Sequence, residues 1–307
     1  RQSHRSLPMP SVATRQPAAQ RLVCAGGQIL ELEGKPLVMG VLNLTPDSFS
    51  DGGLWTDPSR ALERAEEMVA QGADLLDLGA ESTRPGGGVY GSGASEVPAE
   101  EELNRLMPVL ELLRERVSVP LSVDTRKSLV ARVALDAGAD IINDISCLAD
   151  PDLATVAAER GAPLVLMHSR GDLATMQKQI HFEYVVDEVV QDLEMAIHQA
   201  CQRGVSRDKI VIDPGIGFGK NGRQNLELLR RLDELQRLER PILVGASRKS
   251  FIGAITDQPA ERRLPGSLAT IAWAASRGAA MVRVHDVAES VQFLTVWDAI
   301  DGAGGRL

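Results

Sequence analysis

A chain of 307 residues, of which 44% are hydrophobic, is long enough to bury a large core as one big domain or two small ones. The formal net charge of −9 argues against a general nucleic-acid-binding protein, and no apolar stretch reaches the length of a transmembrane helix. Cys24, Cys147 and Cys201 are far apart and form no CxxC or Cys/His cluster, so we expect no disulfide, no zinc site and a reducing, cytoplasmic setting.

The first 22 residues are rich in Arg, Pro, Gln and Ser and contain neither an acidic residue nor an apolar run. We therefore expect no secretory signal and a disordered tail over residues 1–22. The folded domain is expected to span residues 23–302, with a short C-terminal tail over residues 303–307. Residues 28–32 and the chain from Leu37 onward flank Glu33-Gly34-Lys35, which predicts a β-hairpin leading into the first core strand.

From residue 38 onward the sequence repeats one unit, namely an apolar strand, a polar loop, an amphipathic helix and a turn with glycine. Eight strands are predicted, at residues 38–43, 75–79, 121–124, 141–144, 164–167, 210–213, 242–245 and 281–284. Near-continuous Val/Ile/Leu runs are typical of parallel strands that are buried on both faces. The pattern favours an α/β fold, a (β/α)8 TIM barrel with an N-terminal β-hairpin in a single domain. A doubly wound sheet of eight strands remains the competing architecture.

Helix boundaries are also marked in the sequence. Asp57-Pro58 supplies an N-cap and a proline at the first helical position. Apolar residues at helical spacing predict a long helix over residues 182–203. Four helix ends share a Gly-Ala step into the next strand, with the glycine as a left-handed C-cap: Gly72-Ala73, Gly138-Ala139, Gly161-Ala162 and Gly278-Ala279.

Every predicted strand ends in residues that can bind or polarise a ligand. In chain order these endings are Asn43, Glu81 with Arg84, Asp124, Asn143, His168, Asp213, Ser247 with Lys249, and Arg283 with His285. Each has an ordinary explanation: Asn43 can cap its loop, Asp124 a helix, Asp213 can start a turn and His168 can be a satisfied buried histidine. In barrel enzymes, however, the carboxyl ends of the strands carry the active site, and eight such endings together predict one.

The residue types suggest two kinds of pocket. The carboxylates of Asp124 and Asp213 and the amide of Asn143 suit an amino-heterocycle, whose N–H and C=O groups need matched partners. The groups suited to a phosphate or diphosphate are Arg84, Arg283, His285 and the helix start at Ser247. Lys249 can serve either pocket. No Ser/His/Asp order at a strained elbow and no HExxH is present, so hydrolysis by either route lacks support.

Seven motifs occur in order between residues 26 and 300. They are Val41-Leu-Asn-Leu-Thr-Pro-Asp-Ser-Phe-Ser-Asp-Gly-Gly53, Glu81-Ser-Thr-Arg-Pro-Gly86, Ser122-Val-Asp-Thr125, Ile142-Asn-Asp-Ile145, Asp213-Pro-Gly-Ile-Gly-Phe-Gly219, Ser247-Arg-Lys-Ser250 and Arg283-Val-His-Asp286. Together they resemble the dihydropteroate synthase family of pterin-binding TIM barrels. The first and the seventh of these motifs are highly specific.

The resemblance implies a transferase of folate biosynthesis and a sulfonamide target. The family joins 6-hydroxymethyl-7,8-dihydropterin diphosphate to p-aminobenzoate with release of pyrophosphate, and it uses Mg²⁺. Neither nucleic acid nor membrane is an expected partner. The resemblance also suggests a homodimer, which agrees with two late helical stretches, residues 268–275 and 291–297, that are too apolar all round for solvated outer helices.

The resemblance further implies which residues form the site. The pterin would be bound by Asp124, Asn143, Met167, Asp213 and Lys249. The diphosphate would be bound by Asn43, Thr83, Arg84, Arg283 and His285, with Asn43 also holding Mg²⁺. The p-aminobenzoate would lie beside Phe49, Pro85, Phe218, Lys249 and Ser250. The catalytic residues would be Lys249, Asp124 and Arg283.

Two alternatives remain at this point. A pterin-binding barrel that moves a methyl group from a folate to a corrinoid would share the pterin pocket but should lack the first-loop and Ser-Arg-Lys motifs, which are intact here. A non-catalytic relative would show erosion at Asn43, Thr83, Arg84 or Lys249, and none of these is eroded.

Overall fold

A computed structural model describes residues 21–44, 57–80, 97–170 and 181–302, and at its centre lie parallel β-strands. The chain forms β1 (Arg21–Val23) and β2 (Ile29–Glu31), and then β3 (Leu37–Asn43), β4 (Leu75–Gly79), β5 (Leu121–Asp124), β6 (Ile141–Asp144), β7 (Leu164–Met167), β8 (Ile210–Asp213), β9 (Leu243–Val244) and β10 (Met281–Val284). The last eight strands match the eight predicted ones to within a residue, except that β9 keeps only the middle of residues 242–245.

The eight-stranded sheet closes into a barrel. Hydrogen-bonded neighbours follow the order β8-β7-β6-β5-β4-β3-β10-β9, and a parallel bridge between Ile212 and Ile242 joins the two outer strands. The backbone N–H of Ile212 also donates to the carbonyl of Pro241 at 2.9 Å. A doubly wound sheet would keep both edges open, whereas here the two outer strands are hydrogen-bonded to each other. The predicted (β/α)8 barrel is therefore confirmed.

Helices surround the barrel. They are α1 (Pro58–Ala70), α2 (Ala99–Arg116), α3 (Ser128–Asp136), α4 (Asp152–Glu159), α5 (Val185–Gln202), α6 (Gly222–Arg230), α7 (Ser250–Thr256), α8 (Leu264–Ser276) and α9 (Val287–Gly302), with short 3₁₀ helices at Arg207–Lys209, Leu232–Leu238 and Ala260–Arg262. As predicted, Asp57 caps α1 by accepting the N–H of Ser59, with Pro58 in the first turn.

Two details of the helix ends follow from local hydrogen bonds and backbone angles. The helix predicted to begin at residue 182 begins at Val185 instead, because the Glu188 carboxylate accepts the N–H groups of Glu183 and Tyr184 at 2.7 and 2.9 Å and so caps it there. The glycines of the four Gly-Ala steps all have positive φ: Gly72 (98°), Gly138 (98°), Gly161 (62°) and Gly278 (85°). Their prediction as left-handed C-caps is confirmed.

The pleat of the strands sorts side chains into two apolar clusters. The larger one lies between strands and helices and includes Leu76, Leu78 and Val123. The smaller one fills the barrel interior near the amino ends of the strands with Met39, Leu75, Ile141, Val165, Val211, Leu243 and Met281. Since inward positions recur every second residue, the next inward layer toward the carboxyl ends is Val41, Asp77, Asn143, Met167, Asp213, Gly245 and Arg283. The alternation therefore turns the polar strand endings toward one mouth.

The N-terminal hairpin exists, but its pairing differs from the prediction. β2 pairs with β1 rather than with β3, so the turn lies at residues 24–28 and not at Glu33-Gly34-Lys35. Leu22, Cys24 and Leu30 join the smaller apolar cluster, and this burial explains the choice of partner. The hairpin plugs the amino end of the barrel. β1 also begins at Arg21, inside the stretch predicted as tail.

Along the described ranges, no helix combines the length and the apolar character that crossing a membrane requires.

Candidate active site

The predicted site residues at strand ends lie at one mouth of the barrel because all eight strands run the same way. Those that end or directly follow strands are Asn43, Asp124, Asn143, Met167, Asp213, Arg283 and His285. Lys249 and Ser250 lie at the start of α7, and Phe218 lies in the loop after β8. The remaining predicted residues, Phe49, Thr83, Arg84 and Pro85, lie outside the described residues.

Arg283 organises the floor of this mouth. Its Nε donates to Asp77 Oδ2 at 2.7 Å, and its Nη2 donates to Asp124 Oδ2 at 3.2 Å. Asn143 Nδ2 donates to the same Asp77 oxygen at 3.1 Å. The half-buried guanidinium thus ties three interior strands together through charge-assisted hydrogen bonds to two carboxylates.

Asp77 is a site residue that the sequence analysis missed. It lies in the middle of β4 rather than at its end, and it is fully buried. The available signal was a single acidic residue inside an otherwise apolar strand, since a carboxylate is almost never placed there without a partner. Its role here is to hold Arg283 and Asn143 in place.

Polar atoms on this floor retain hydrogen-bonding capacity. In the described part of the chain, Asp77 Oδ1, Asn143 Oδ1 and Ser122 Oγ are buried side-chain atoms that have no hydrogen-bond partner. Two of the three are acceptors only, so the floor is suited to the N–H groups of a ligand. Asp124 does not occupy the cap position of α3, since Lys127 is the residue before the helix and the N–H of Ser128 donates to Asp150 Oδ2 at 2.8 Å.

Asp213 starts a turn, as the sequence suggested, and it lies in the inward-facing layer of the barrel mouth. Its Oδ1 accepts the N–H of Gly215 at 2.7 Å, which starts the turn into residues 213–220, hereafter the glycine loop. Burial raises the pKa of the Asp213 carboxyl, although the nearby ammonium of Lys249 opposes this shift. Gly215 has φ 67°, and a Cβ there would lie 2.0 Å from the carbonyl oxygen of His168, so only glycine fits.

Lys249 lies over the glycine loop. Its Nζ donates to the carbonyl of Ile216 and lies 4.4 Å from the centre of the Phe218 ring, in a cation–π contact. Burial lowers the pKa of Lys249 to about 8, although Asp213 acts in the opposite direction. An ammonium so close to neutrality at physiological pH is easily perturbed by a charged ligand.

The Ser-Arg-Lys turn before α7 is fixed from three sides. Arg248 has a positive φ of 57°. Its N–H donates to Ser267 Oγ at 2.9 Å, its carbonyl accepts from Arg263 at 3.0 Å, and its guanidinium pairs with Asp286 at 2.9 Å. This side chain is therefore committed to Asp286, and Lys249 is the cation of the motif that faces the barrel mouth.

The two histidines that directly follow strands, His168 and His285, differ in environment. His285 Nδ1 lies 3.1 Å from Ser247 Oγ at the rim of the mouth. His168 is fully buried, and its Nε2 lies 3.0 Å from Asp192 Oδ2 on α5. Burial lowers the pKa of His168 to about 4, so the ring is neutral at physiological pH. The Asp192 contact gives His168 a structural role, although its Nδ1 has no hydrogen-bond partner in the described part of the chain.

The donor set at the mouth fits a magnesium ion only in combination with a phosphate ligand. Within the described ranges no three His, Cys, Asp or Glu side chains are grouped so as to hold a metal. Asn43, half-buried at the end of β3, offers a neutral amide oxygen. Mg²⁺ commonly binds through one or two protein oxygens, several waters and substrate phosphates, and Asn43 fits that pattern.

Comparison with known proteins agrees with this geometry. Residues 39–285 match the family of pterin binding enzymes, and the chain belongs to that family. It is 46% identical over 277 residues to the dihydropteroate synthase of Synechocystis sp., a match that covers 89% of this chain and 93% of the relative.

Two solved structures extend the match to three dimensions. One is the dihydropteroate synthase of Xanthomonas albilineans with 4-aminobenzoic acid, with a TM-score of 0.84, 46% identity and coverage of 92% of this chain and 98% of that one. The other is the Xanthomonas albilineans enzyme in complex with 7,8-dihydropteroate, with a TM-score of 0.80, 42% identity and coverage of 92% and 98%. The resemblance inferred from the seven motifs, to the dihydropteroate synthases in particular, is confirmed.

Proposed function

We propose that this protein catalyses the dihydropteroate synthase reaction, joining 6-hydroxymethyl-7,8-dihydropterin diphosphate to p-aminobenzoate with release of pyrophosphate. One observation carries this conclusion. The mouth that combines Asp124, Asn143, Asp213, Lys249 and Arg283 belongs to a barrel that matches an enzyme bound to 4-aminobenzoic acid at 46% identity over 92% of the chain.

The pterin is assigned to the buried acceptors on the floor. Asp124, Asn143 and Asp213 present carboxylate and amide oxygens to the N–H groups of the heterocycle. Met167, at the end of β7, is almost fully buried and supplies an apolar surface for the ring. Lys249 lies between this floor and the outer part of the mouth, where it can donate to a ring carbonyl or nitrogen.

The diphosphate is assigned to the cationic side of the mouth. Arg283 lies in β10 and His285 directly follows that strand, and Asn43 lies at the end of the neighbouring strand β3. We assign Thr83 and Arg84 to the same group on the basis of the family motif. When bound through Asn43 and the diphosphate, Mg²⁺ would supply positive charge to the leaving group.

The p-aminobenzoate is assigned to the space above Lys249. Phe218 offers a ring face, Lys249 a cation and Ser250 the first hydroxyl of α7. We assign Phe49 and Pro85 to the same pocket on the basis of the motifs that contain them. A sulfonamide with an aniline ring and an anionic group has the same chemistry, so we expect it to compete for this site.

The chemistry is a substitution at the CH₂ group of the pterin. The C–O bond to the diphosphate breaks with its electron pair on oxygen, the lone pair of the neutral aniline nitrogen forms the C–N bond, and the nitrogen then loses a proton. The aniline needs no strong base, so departure of pyrophosphate is the difficult step. Asp124 and Asp213 favour positive charge on the pterin, and Arg283 favours negative charge on the leaving group.

A coupled assay for pyrophosphate release tests this function. Purified protein with the dihydropterin diphosphate and Mg²⁺ should release pyrophosphate at the same rate as dihydropteroate forms, and the rate should depend on p-aminobenzoate. EDTA should stop turnover and added Mg²⁺ should restore it. No dihydropteroate from correctly folded, Mg²⁺-loaded protein would overturn the proposal.

Replacing Asp213 should mainly weaken pterin binding. The carboxylate holds the ring in both ground and transition states, so Asp213→Ala should raise the KM for the pterin substrate more than it lowers kcat. Asp213→Asn is the matched control, because it keeps an oxygen for the Gly215 N–H but removes the charge. If kcat fell in both variants with an unchanged pterin Kd by calorimetry, the assignment would be wrong.

We also propose a homodimer built on α8 and α9. Trp273 on α8 is 43% exposed, and Val296 and Ile300, one turn apart on α9, are 56% and 71% exposed. Exposed apolar side chains on adjacent helices favour burial against a second copy. Light scattering at micromolar concentration should give twice the mass of the chain.

Charge at this surface should separate the copies. Val296→Glu with Ile300→Glu should give a monomer, whereas Leu129→Glu, on the exposed face of α3 at 55% exposure, should leave the mass unchanged. A monomeric mass for the unaltered protein would contradict the dimer.

All three cysteines are free thiols, which supports our expectation of a cytoplasmic setting.

A further inference from the structure

Lys220, at the end of the glycine loop, is a buried lysine to which no part of the proposed reaction has been assigned. The residue is 4% exposed. Its Nζ donates to the carbonyl of Phe218 at 2.8 Å and to the carbonyl of Gly215 at 3.0 Å, with the carbonyl of His168 at 3.5 Å. All three N–H bonds of the ammonium therefore point at backbone oxygens rather than into the mouth.

The carbonyls bound by Lys220 bracket the part of the loop on which Lys249 rests. Between Gly215 and Phe218, the Ile216 carbonyl accepts a hydrogen bond from Lys249 Nζ. A Cβ built on Gly217 would lie 2.9 Å from Lys249 Cδ, so the backbone passes directly against the lysine stem. Phe218 itself provides the ring under the Lys249 ammonium.

Other parts of the glycine loop are held by hydrogen bonds that do not involve the Lys220 ammonium, so the effect of losing that ammonium can be distinguished from theirs. Asn225 on α6 accepts the Gly217 N–H at 2.7 Å and donates to the Lys220 carbonyl at 3.2 Å. The Phe218 N–H donates to the Gly215 carbonyl at 3.0 Å. Loss of the Lys220 ammonium would leave the Phe218 carbonyl without its partner and free the segment from Ile216 to Phe218 to shift.

We propose that Lys220 is a positioning residue that fixes the Phe218 ring and the Ile216 carbonyl, and through them the Lys249 ammonium. This inference rests on the proposed function in one respect, namely that the ligand beside Phe218 and Lys249 is p-aminobenzoate. Lys220 itself touches no substrate, because its ammonium lies beneath the loop. The deprotonated amine would keep two N–H donors, enough for the two nearer carbonyls, so the contact survives the lowering of its pKa to about 7, which burial causes.

The test compares Lys220→Met with Lys209→Met in the full chain. Lys209 is the matched control, because its Nζ also donates to a backbone carbonyl, that of Gly161, but at the opposite end of β8. Lys220→Met should raise the KM for p-aminobenzoate about tenfold or more and lower kcat, since a displacement near 1 Å in a positioned group commonly costs about 10²-fold. The KM for the pterin substrate should rise by a smaller factor, because Asp124, Asn143 and Asp213 also hold the pterin. Lys209→Met should change neither KM.

Hydrogen exchange without substrates gives a second readout that does not depend on the reaction. In Lys220→Met the amides of residues 215–218 should exchange faster than in Lys209→Met, whereas those of β8 should not. If exchange is faster in Lys220→Met but the unaltered protein shows no catalysis, the positioning role is supported and only the proposed function is contradicted. Unchanged exchange in this segment, or a loss of thermal stability with both KM values unaltered, would overturn the positioning role. If Lys220→Met does not fold, Lys220→Arg, which keeps the charge but moves the donors, carries the same expectations.

Discussion

Replacement of Arg283 by alanine should lower kcat by about 10²–10³ and raise the KM for p-aminobenzoate by much less, because lost stabilisation of a developing anion commonly has this effect. Arg283 is the half-buried cation of β10 that we assign to the departing diphosphate. Its interaction is worth most as the C–O bond breaks and charge accumulates on oxygen. Steady-state pyrophosphate release with varied p-aminobenzoate measures both constants.

Arg283→Ala needs a control variant that separates loss of catalysis from loss of stability. Arg283 pairs with Asp77 and Asp124. Its truncation leaves Asp77 as an unpaired buried carboxylate, and breaking such a pair commonly costs about 3–5 kcal/mol of stability. The double variant Arg283→Ala/Asp77→Asn removes the surplus charge, so its Tm should recover while kcat stays low. If kcat recovered together with Tm, Arg283 would act through folding and its assignment to the diphosphate would be wrong.

Replacement of Lys249 by methionine should damage both binding and turnover. The ammonium lies between the floor near Asp213 and the ring of Phe218, so it can touch the pterin and the p-aminobenzoate. We expect kcat/KM to fall by about 10² or more for each substrate, since a lost charged contact in a desolvated site affects each complex. Methionine keeps the apolar stem against Gly217. Normal kcat with only one affected KM would place Lys249 in a single pocket.

The pH dependence of activity gives an independent view of Lys249. Burial lowers the pKa of Lys249 to about 8; the charge of Asp213 raises this pKa and the charge of Arg283 lowers it. The lysine is charged below this pKa and neutral above it, so kcat/KM should fall as the pH rises through about 8. Lys249→Arg keeps its charge at all these pH values and should shift the fall to higher pH, at a lower overall rate. A flat profile up to pH 9.5 for the unaltered protein would contradict a role for the ammonium.

The barrel and the position of its mouth could be predicted because their causes are local. Buried parallel strands need continuous apolar runs, and helix ends need left-handed residues, so both leave marks at fixed places in the sequence. Strand endings such as Asn43, Asp124 and Asp213 were visible for the same reason. The roles of individual side chains came from the family motifs and not from periodicity.

Other features could not be predicted because they depend on which distant groups meet. β2 pairs with β1 because this pairing buries Leu22 and Leu30 under the barrel. The turn residues Glu33-Gly34-Lys35 carry no information about that burial. Asp77 lies in mid-strand, and its partners Asn143 and Arg283 come 66 and 206 residues further on. The pairing of Arg248 with Asp286, 38 residues further on, likewise leaves no local signal in the Ser-Arg-Lys motif.

The hairpin of β1 and β2 has a practical consequence for attaching other molecules to this enzyme. It packs against Asp140 and Ser118, which precede β6 and β5, and thus occupies the face of the barrel opposite Asp213. A fusion partner, affinity tag or solid support joined ahead of residue 21 is therefore connected to the chain at the far face. Immobilisation through that end should leave the catalytic mouth turned toward the solution.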